Sequence, residues 1–418
     1  MTPQQQQEIS TSDDDNFVKP LVARKVTPSQ LVECGQRLRA GDLVAFPTET
    51  VYGLGCHALD PSAVQKVFAA KERPLTDPLI VHVAKTQDAM PLWKQQDDNN
   101  NNNDNATKIL QVLADSFWPG PLTLVAPAAP HVPPILMANT GFVACRCPSH
   151  ALAQALIQEA QVPIAAPSAN KFGHVSPTRA DHVMDDLGHE NVWVLEEQQQ
   201  QQQPACQVGV ESTVAKLEIQ STTAETTTTP YYALTVLRQG AIAVQDLQES
   251  LTKAGIQNVQ VSSLSSRTVE ETEATVAPGQ TIKHYAPRIP SFLIAPNLLF
   301  QKEQDAHAQL QLLAQQSIVL DFGGKLVALE AHAKNYRDLS PSGDSSQAAQ
   351  CVFEALRWAE QVEPATTRTI VFPQVVSNNN DDDALTLALQ DRLTRAASGV
   401  VLDSVDAIEK VLKQQQLQ

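Results

Sequence analysis

Aromatic residues are scarce, at 5% of a 418-residue chain. Burial must therefore rest on Ala, Val, Leu and Ile, which the 42% hydrophobic content supplies. Positive charge is also in deficit: 30 Lys and Arg against 46 Asp and Glu leave a net charge of −16. That balance argues against a protein coated for duplex DNA, and it leaves room for a small basic cleft that takes one anionic ligand. Part of the negative charge sits in low-complexity runs, at Asp13–Asp15, Asp97–Asp104 and Asp381–Asp383, which read as solvated segments. Six cysteines without framework spacing read as reduced thiols, and Cys145-Arg-Cys147 lacks the second pair that a zinc site needs. No run approaches the roughly 20 apolar residues of a membrane span. The first residues, MTPQQQQEISTSDDD, carry neither an apolar signal core nor a basic amphipathic leader, so a cytoplasmic protein is expected. No G-x-x-x-x-G-K-[ST] occurs, which excludes a P-loop.

The length suggests two or three domains. A tail is expected over 1–20. LVECGQRLRAGD has helical spacing and a glycine stop, and LVAFP follows as a strand. Asp60-Pro61 is an N-cap and N1 pair for the helix PSAVQKVFAAK, which Pro74 prevents from continuing, and LIVHV is an apolar strand. The asparagine run 99–103 and the glutamine run 198–203 read as loop expansions. ESTVAKLEI and ALTVLRQGAI are strand-like. Residues 246–290 are poor in apolar periodicity and read as a linker. Beyond them FLIAP, SIVLDFGG, a helix near 346–361, RTIVFPQ and ALTLALQDRLTRAASG alternate as a smaller α/β domain with a mostly parallel sheet.

Several stretches could carry chemistry. The glycines of FPTETVYGLG (46–55) imitate a dinucleotide fingerprint, but the next strand ends in Ala84-Lys85 rather than in the acidic residue that would bind a ribose. Lys71-Glu-Arg73 either complements a helix C-terminus or forms a cation pair that neutralises polyphosphate. APSANKFGHVSPT (166–178) is either turn chemistry or a surface that reads a ligand with hydroxyls and an amide. His82 inside LIVHV, Arg146 inside FVACRCP and Arg238 inside LTVLRQG are polar groups in apolar strands. An unpaired buried cation is costly, so each arginine must find a carboxylate in the protein or on a ligand.

Taken together, FPTETVYGLG, KERPLTDPLIVHV, WPGPLTLV, the R-C-P at 146–148, APSANKFGHVSPT, ESTV at 211–214 and LRQG at 237–240 resemble the YrdC/Sua5 family, in family order, over about residues 25–245. HYAP at 284–287 and the DRLTRAAS helix resemble the two-domain Sua5 branch of L-threonylcarbamoyladenylate synthases. The resemblance implies a YrdC-like α/β domain over 21–245, with a twisted open sheet and a concave active-site face. It further implies a 246–290 linker carrying HYAP and a smaller Rossmann-like Sua5 domain over 291–413. It implies that L-threonine, bicarbonate or CO2, and ATP, with Mg2+, give threonylcarbamoyl-AMP and pyrophosphate. A separate threonylcarbamoyl-transferase complex would then modify adenosine 37 of tRNAs that read ANN codons. Carried over by motif, Lys71, Arg73, Ser168, Asn170, Ser176 and Arg238 would surround ATP. Thr48, His82, Arg146 and Ser212 would hold threonine, with Arg146 taking its carboxylate. Tyr52 and Thr213 are weaker candidates, and His284 and Tyr285 would form a lid. Two alternatives stand beside this reading: a tRNA- or double-stranded-RNA-binding module without catalysis, and a carbamoyl-phosphate-dependent adenylation.

Overall fold

The computed structural model describes residues 22–94, 104–197, 206–220, 231–264, 273–279, 284–300, 304–362, 367–375 and 383–416. The expected tail and both polar expansions, 99–103 and 198–203, lie outside these residues, as do the acidic runs apart from Asp104 and Asp383.

The chain builds two sheets. The larger contains, in chain order, β1 (Arg24–Val26), β2 (Leu43–Phe46), β3 (Gly53–His57), β4 (Ile80–His82), β5 (Leu122–Pro127), β6 (Phe142–Arg146), β7 (Ile164–Ala165), β8 (Val192–Leu195), β9 (Thr213–Gln220), β10 (Tyr231–Arg238) and β11 (Val259–Ser263). Their spatial order is β1-β8-β2-β3-β7-β4-β6-β5-β9-β10-β11, with parallel and antiparallel pairs mixed. The fold is the expected α/β class with a large twisted sheet. The helix Pro61–Lys71 starts as its sequence dictates: Asp60 Oδ1 accepts from the Ser62 amide at 2.8 Å, and Pro61 occupies the position where a missing N–H costs nothing.

FPTETVYGLG does not form the strand-to-helix turn of the dinucleotide fingerprint that its glycines imitate. Its glycines do not lead into a helix. Gly53–His57 is β3, which pairs antiparallel with β2, so PTET is the connection of a β-hairpin. A Cβ on Gly55 would stand 2.8 Å from Phe46 Cε1 and 3.0 Å from Ile164 Cγ2, so glycine is needed for close packing of the strands. The dinucleotide reading, which requires a strand-to-helix turn, falls with this.

The span 246–290 also differs from a bare connector. It holds most of the helix Val244–Lys253 and all of β11, which extends the larger sheet by pairing parallel with β10. Its polar composition hid an edge strand, whose outward positions face water.

The smaller sheet contains β12 (Ser291–Ile294), β13 (Ser317–Asp321), β14 (Asn335–Asp338), β15 (Thr369–Pro373) and β16 (Val401–Leu402), in the order β14-β13-β15-β12-β16. All four pairings are parallel. Parallel strands need crossover helices on both faces, and the side chains divide accordingly. Leu293, Ile318, Leu320, Ile370 and Phe372 pack with the helices Ser345–Gln361 and Ala384–Ala396, whereas Ile294, Val319, Val371 and Leu402 pack on the opposite side.

The first of these layers also joins the two domains. Val51, Val175, Val210 and Tyr285 pack into the same apolar cluster as Phe353 and Leu293. Gly209 (φ +76) allows the approach, because a Cβ there would lie 2.3 Å from the Ala349 carbonyl oxygen. A polar cluster closes the contact. His174 Nδ1 lies 2.8 Å from Asp186 Oδ1, and its Nε2 lies 2.9 Å from Glu360 Oε2 of the smaller domain. Arg357 Nη2 donates to Asp186 Oδ2 at 3.0 Å, and Arg288 approaches Asp186 at 3.8 Å. Burial alone would depress the His174 pKa, but hydrogen bonds to two carboxylates outweigh it and raise it above 6.5.

A raised folded-state pKa means that the native protein binds this proton more tightly than the unfolded chain does. The His174 contribution is therefore complete below pH 6.5 and lost as pH rises through the folded value. Thermal unfolding followed from pH 6 to pH 9 should show stability disappearing on the alkaline side. The loss should be about 1.4 kcal/mol for each tenfold difference in proton affinity between the folded and unfolded chain. His174→Gln should remove that component, and an unchanged pH slope would disprove it.

Candidate functional site

The site lies where the turn after β2, strands β4, β6 and β10, and the residues just before β9 present polar groups to one cleft. The hairpin turn supplies its first wall. Thr48 Oγ1 accepts from the amides of Thr50 and Val51, both at 3.2 Å, and donates to the Val51 carbonyl at 2.6 Å, so this hydroxyl folds the turn on which it sits. That turn aims Thr50 and Glu49 at Arg146. Arg146 Nη1 donates to Thr50 Oγ1 at 2.9 Å, Nε donates to the Gly120 carbonyl at 3.3 Å, and Nη2 stands 2.7 Å from Glu49 Oε1. The last contact is an ion pair outside hydrogen-bond alignment. The arginine in an apolar strand thus finds its carboxylate within the protein. Burial opposes ionisation of Glu49, but the Arg146 charge overcomes it, and the Glu49 pKa falls below 4.5.

His82 is the direct neighbour of Arg146 in the β4–β6 register. Burial, reinforced by the Arg146 charge, pushes its imidazole down to about 3, so it is neutral at physiological pH. Its Nδ1 meets the Ile80 carbonyl at 3.2 Å.

Arg238 ends β10 and closes the far wall. Nε donates to the Ser212 carbonyl and Nη2 to Ser212 Oγ, both at 3.1 Å, while Ser212 Oγ shares a 2.7 Å hydrogen bond with Thr123. Arg73 lies between these walls, with Nη2 2.9 Å from Asp77 Oδ2 and Nε donating to the Asp77 carbonyl at 2.9 Å. Burial lowers the pKa of both arginines. Ser168, His284 and Tyr285 complete the lining. His284 is buried, with Nε2 3.6 Å from Asp77 Oδ2 and neither ring nitrogen in a hydrogen bond.

The residues expected from the sequence divide between the wall and the layer behind it. Thr48, Arg73, His82, Arg146, Ser168, Ser212, Arg238, His284 and Tyr285 line the cleft together. Lys71 stands behind it at 1% exposure, its ammonium held by the backbone carbonyls of Ser168 (2.6 Å) and Asn170. Burial, then repulsion from Arg73, holds its pKa well below 10.5. Asn170 Nδ2 donates to the carbonyls of Lys171 and His174, and Ser176 Oγ donates to Glu211 Oε1 at 2.6 Å. These three shape the loop rather than line the cleft. Tyr52 is a core side chain, and Thr213 Oγ1 caps the Ile242 backbone at 2.9 and 3.0 Å. Glu49, Thr50, Glu211 and Gly279 also line or brace the site, and the sequence did not single them out. Glu49 and Thr50 lie within PTET and Glu211 heads ESTV. A carboxylate with no apolar periodicity around it is the only local signal.

Two family models match the chain. Sua5_yciO_yrdC, described as telomere recombination, covers residues 36–240, and Sua5_C, described as threonylcarbamoyl-AMP synthase, C-terminal domain, covers residues 242–398. A threonylcarbamoyl-AMP synthase of Pyrococcus abyssi is 36% identical over 60% of this chain and 63% of its own length. One from Bacillus subtilis is 35% identical over 62% and 65%. The chain thus spans less than two thirds of either relative. A third, from Alkalilimnicola ehrlichii, is 37% identical over 38% of this chain and 77% of its own length. The crystal structure of P. abyssi Sua5 complexed with L-threonine superposes with a TM-score of 0.69 at 28% identity, covering 92% of this chain and 99% of that one.

Removing one member of a buried ion pair typically costs about 3–5 kcal/mol, whereas replacing both members is close to neutral. Glu49→Gln should therefore lower urea-unfolding stability by that order, and Glu49→Gln with Arg146→Met should cost less than Glu49→Gln alone. A double variant that loses the sum of the two single losses would show that the pair is not coupled.

Proposed function

The chain belongs to the Sua5/YciO/YrdC family and carries the Sua5 C-terminal domain, and from that premise we propose that it is a threonylcarbamoyl-AMP synthase. In this reading it is a nucleotidyltransferase that condenses L-threonine, bicarbonate or CO2, and ATP. The threonine amine adds to CO2, losing a proton, to form a carbamate. A carbamate oxygen then attacks the α-phosphorus, and pyrophosphate leaves with the electron pair of the broken P–O bond. No protein nucleophile is required, so catalysis consists of positioning and charge neutralisation.

The observation that carries this reading is the convergence of Arg73, Arg146 and Arg238 on one cleft that also presents the hydroxyls of Thr48, Thr50, Ser168 and Ser212, the neutral His82 imidazole and the Glu211 carboxylate. Three guanidinium groups suit a substrate set with a carboxylate at one end and a triphosphate at the other. Arg146, flanked by Thr50 and Glu49, takes the threonine carboxylate, with Thr48, His82 and Ser212 around the rest of the amino acid. Arg73 and Arg238 face the phosphates. Lys71 and Asn170 hold the Ser168 loop against the nucleotide, and Ser176 does the same through Glu211. Mg2+ arrives with the triphosphate. The protein's own share of the charge neutralisation falls to Arg73 and Arg238. His284 and Tyr285 act as a lid that keeps water from the labile product.

The product passes to a separate complex that modifies adenosine 37 of tRNAs reading ANN codons. The net charge of −16 limits any direct contact with tRNA or double-stranded RNA to a weak one. No helix among the described residues is long and apolar enough to cross a membrane, and the proposed place of action is the cytoplasm.

Pyrophosphate release from ATP by the purified chain should require both L-threonine and bicarbonate, with serine and glycine as poorer substitutes. Release that ignores either would overturn the assignment, and absence of release with intact tRNA binding would favour an RNA-binding module. Lys71→Ala, which frees the Ser168 and Asn170 carbonyls and so loosens the loop against the nucleotide, should lower turnover by about 10²-fold, the order expected when a positioning group is lost. Unchanged turnover would remove Lys71 from the machinery.

A further inference from the structure

Arg392 is fully buried, and it belongs to the helix Ala384–Ala396 of the smaller domain. Its Nε donates to Glu211 Oε2 at 3.0 Å across the domain boundary. Its guanidinium also lies 5.4 Å from the centroid of the Tyr285 ring. Glu211 and Tyr285 both line the cleft, so one side chain of the second domain braces two of its walls. The arginine is itself held: Nη1 donates to Asp391 Oδ2 at 2.9 Å, and Asp391 Oδ1 accepts from Arg395 Nε at 3.0 Å.

This arrangement decides where the Glu211 charge goes. Glu211 adjoins Ser212, whose hydroxyl and carbonyl both bind Arg238, and carboxylate and guanidinium face the same cleft. A buried carboxylate seeks a cation, because an uncompensated charge in a low-dielectric site is costly. Arg238 and Arg392 are both near enough for their charges to act on it. Among the described residues the Glu211 ion pair is with Arg392. Oε1 is occupied by the Ser176 hydroxyl at 2.6 Å, which fixes the carboxylate's second oxygen. We infer that Arg392 is a positioning residue for the cleft: by holding Glu211, it keeps that carboxylate from neutralising Arg238, so that the Arg238 guanidinium stays free for an anionic ligand. The second domain is then part of the site, although none of its described side chains lines the cleft.

The inference rests on the proposed function only in taking ATP as the anion. The test uses the full chain and measures ATP binding by calorimetry alongside pyrophosphate release. Arg392→Gln should weaken ATP binding by about tenfold, with KM for ATP rising more than kcat falls. Adding Glu211→Gln, which removes the carboxylate's charge and keeps its shape, should restore binding to within about threefold of wild type. A merely structural role predicts no such rescue, and a double variant that binds no better than the single one overturns the inference. So does Arg392→Gln binding ATP as tightly as wild type. If Arg392→Gln does not fold by circular dichroism, Arg392→Lys decides, since it keeps a cation opposite Glu211. A folded Arg392→Lys should bind within about threefold of wild type, and a larger loss counts against the proposal. Wild-type protein that binds inorganic pyrophosphate and not ATP would sink the nucleotide reading, and the same variants measured with pyrophosphate would still decide the role of Arg392.

Discussion

Four cationic side chains, Lys71, Arg73, Arg146 and Arg238, are buried around one cleft, and they repel one another while each loses hydration. Everything near the cleft answers that constraint. Lys71 is held by two backbone carbonyls, Arg73 by Asp77, Arg146 by Glu49 and Thr50, and Arg238 by the Ser212 backbone and hydroxyl. The partners are graded. Arg73 and Arg146 each stand beside a carboxylate, whereas the hydrogen bonds of Arg238 go to neutral groups. A cleft prepared in this way attracts anions more strongly than the acidic chain as a whole would suggest, because low-dielectric walls strengthen each local charge.

The same constraint explains why the domains are locked together by charged groups as well as apolar ones. Glu211 and Asp186 are buried carboxylates of the larger domain, and each pairs with an arginine of the smaller one, Arg392 and Arg357. The apolar layer around Phe353 and Tyr285 excludes water from both pairs. Such pairs add little net stability compared with apolar packing, but they are strict about register, since a displaced partner leaves an unpaired buried charge. The docking of the smaller domain is therefore tied to the geometry of the cleft.

Local rules carry much of the fold. Asp60-Pro61 starts a helix, the alternation after Phe292 gives a doubly wound parallel sheet, and lone polar residues in apolar strands mark the cleft. His82, Arg146 and Arg238 stand out because an isolated charge or imidazole in a strand core has to be satisfied, and each lies on the wall. Where local pattern and structure part, long-range pairing is the reason. β11 is short and half exposed, so it shows no apolar period and resembles linker, yet it is held by β10. GLG satisfies a turn pattern, but its spacing cannot reveal that β2 lies alongside with Phe46 against Gly55.

By itself the sequence determined which residue types had to be compensated: cations and a histidine inside apolar strands, and the small residues, hydroxyls and amide around Ser168. Those are properties of a residue and its immediate neighbours. Only the tertiary structure decided who compensates whom. Glu49 reaches Arg146 across 97 positions and Arg392 reaches Glu211 across 181, and no local pattern encodes such pairs. The placement of Lys71 behind the wall, and the choice of Arg392 over Arg238 as the partner of Glu211, were settled by packing. At these distances a few ångströms separate a neutralised charge from one that remains available to a ligand.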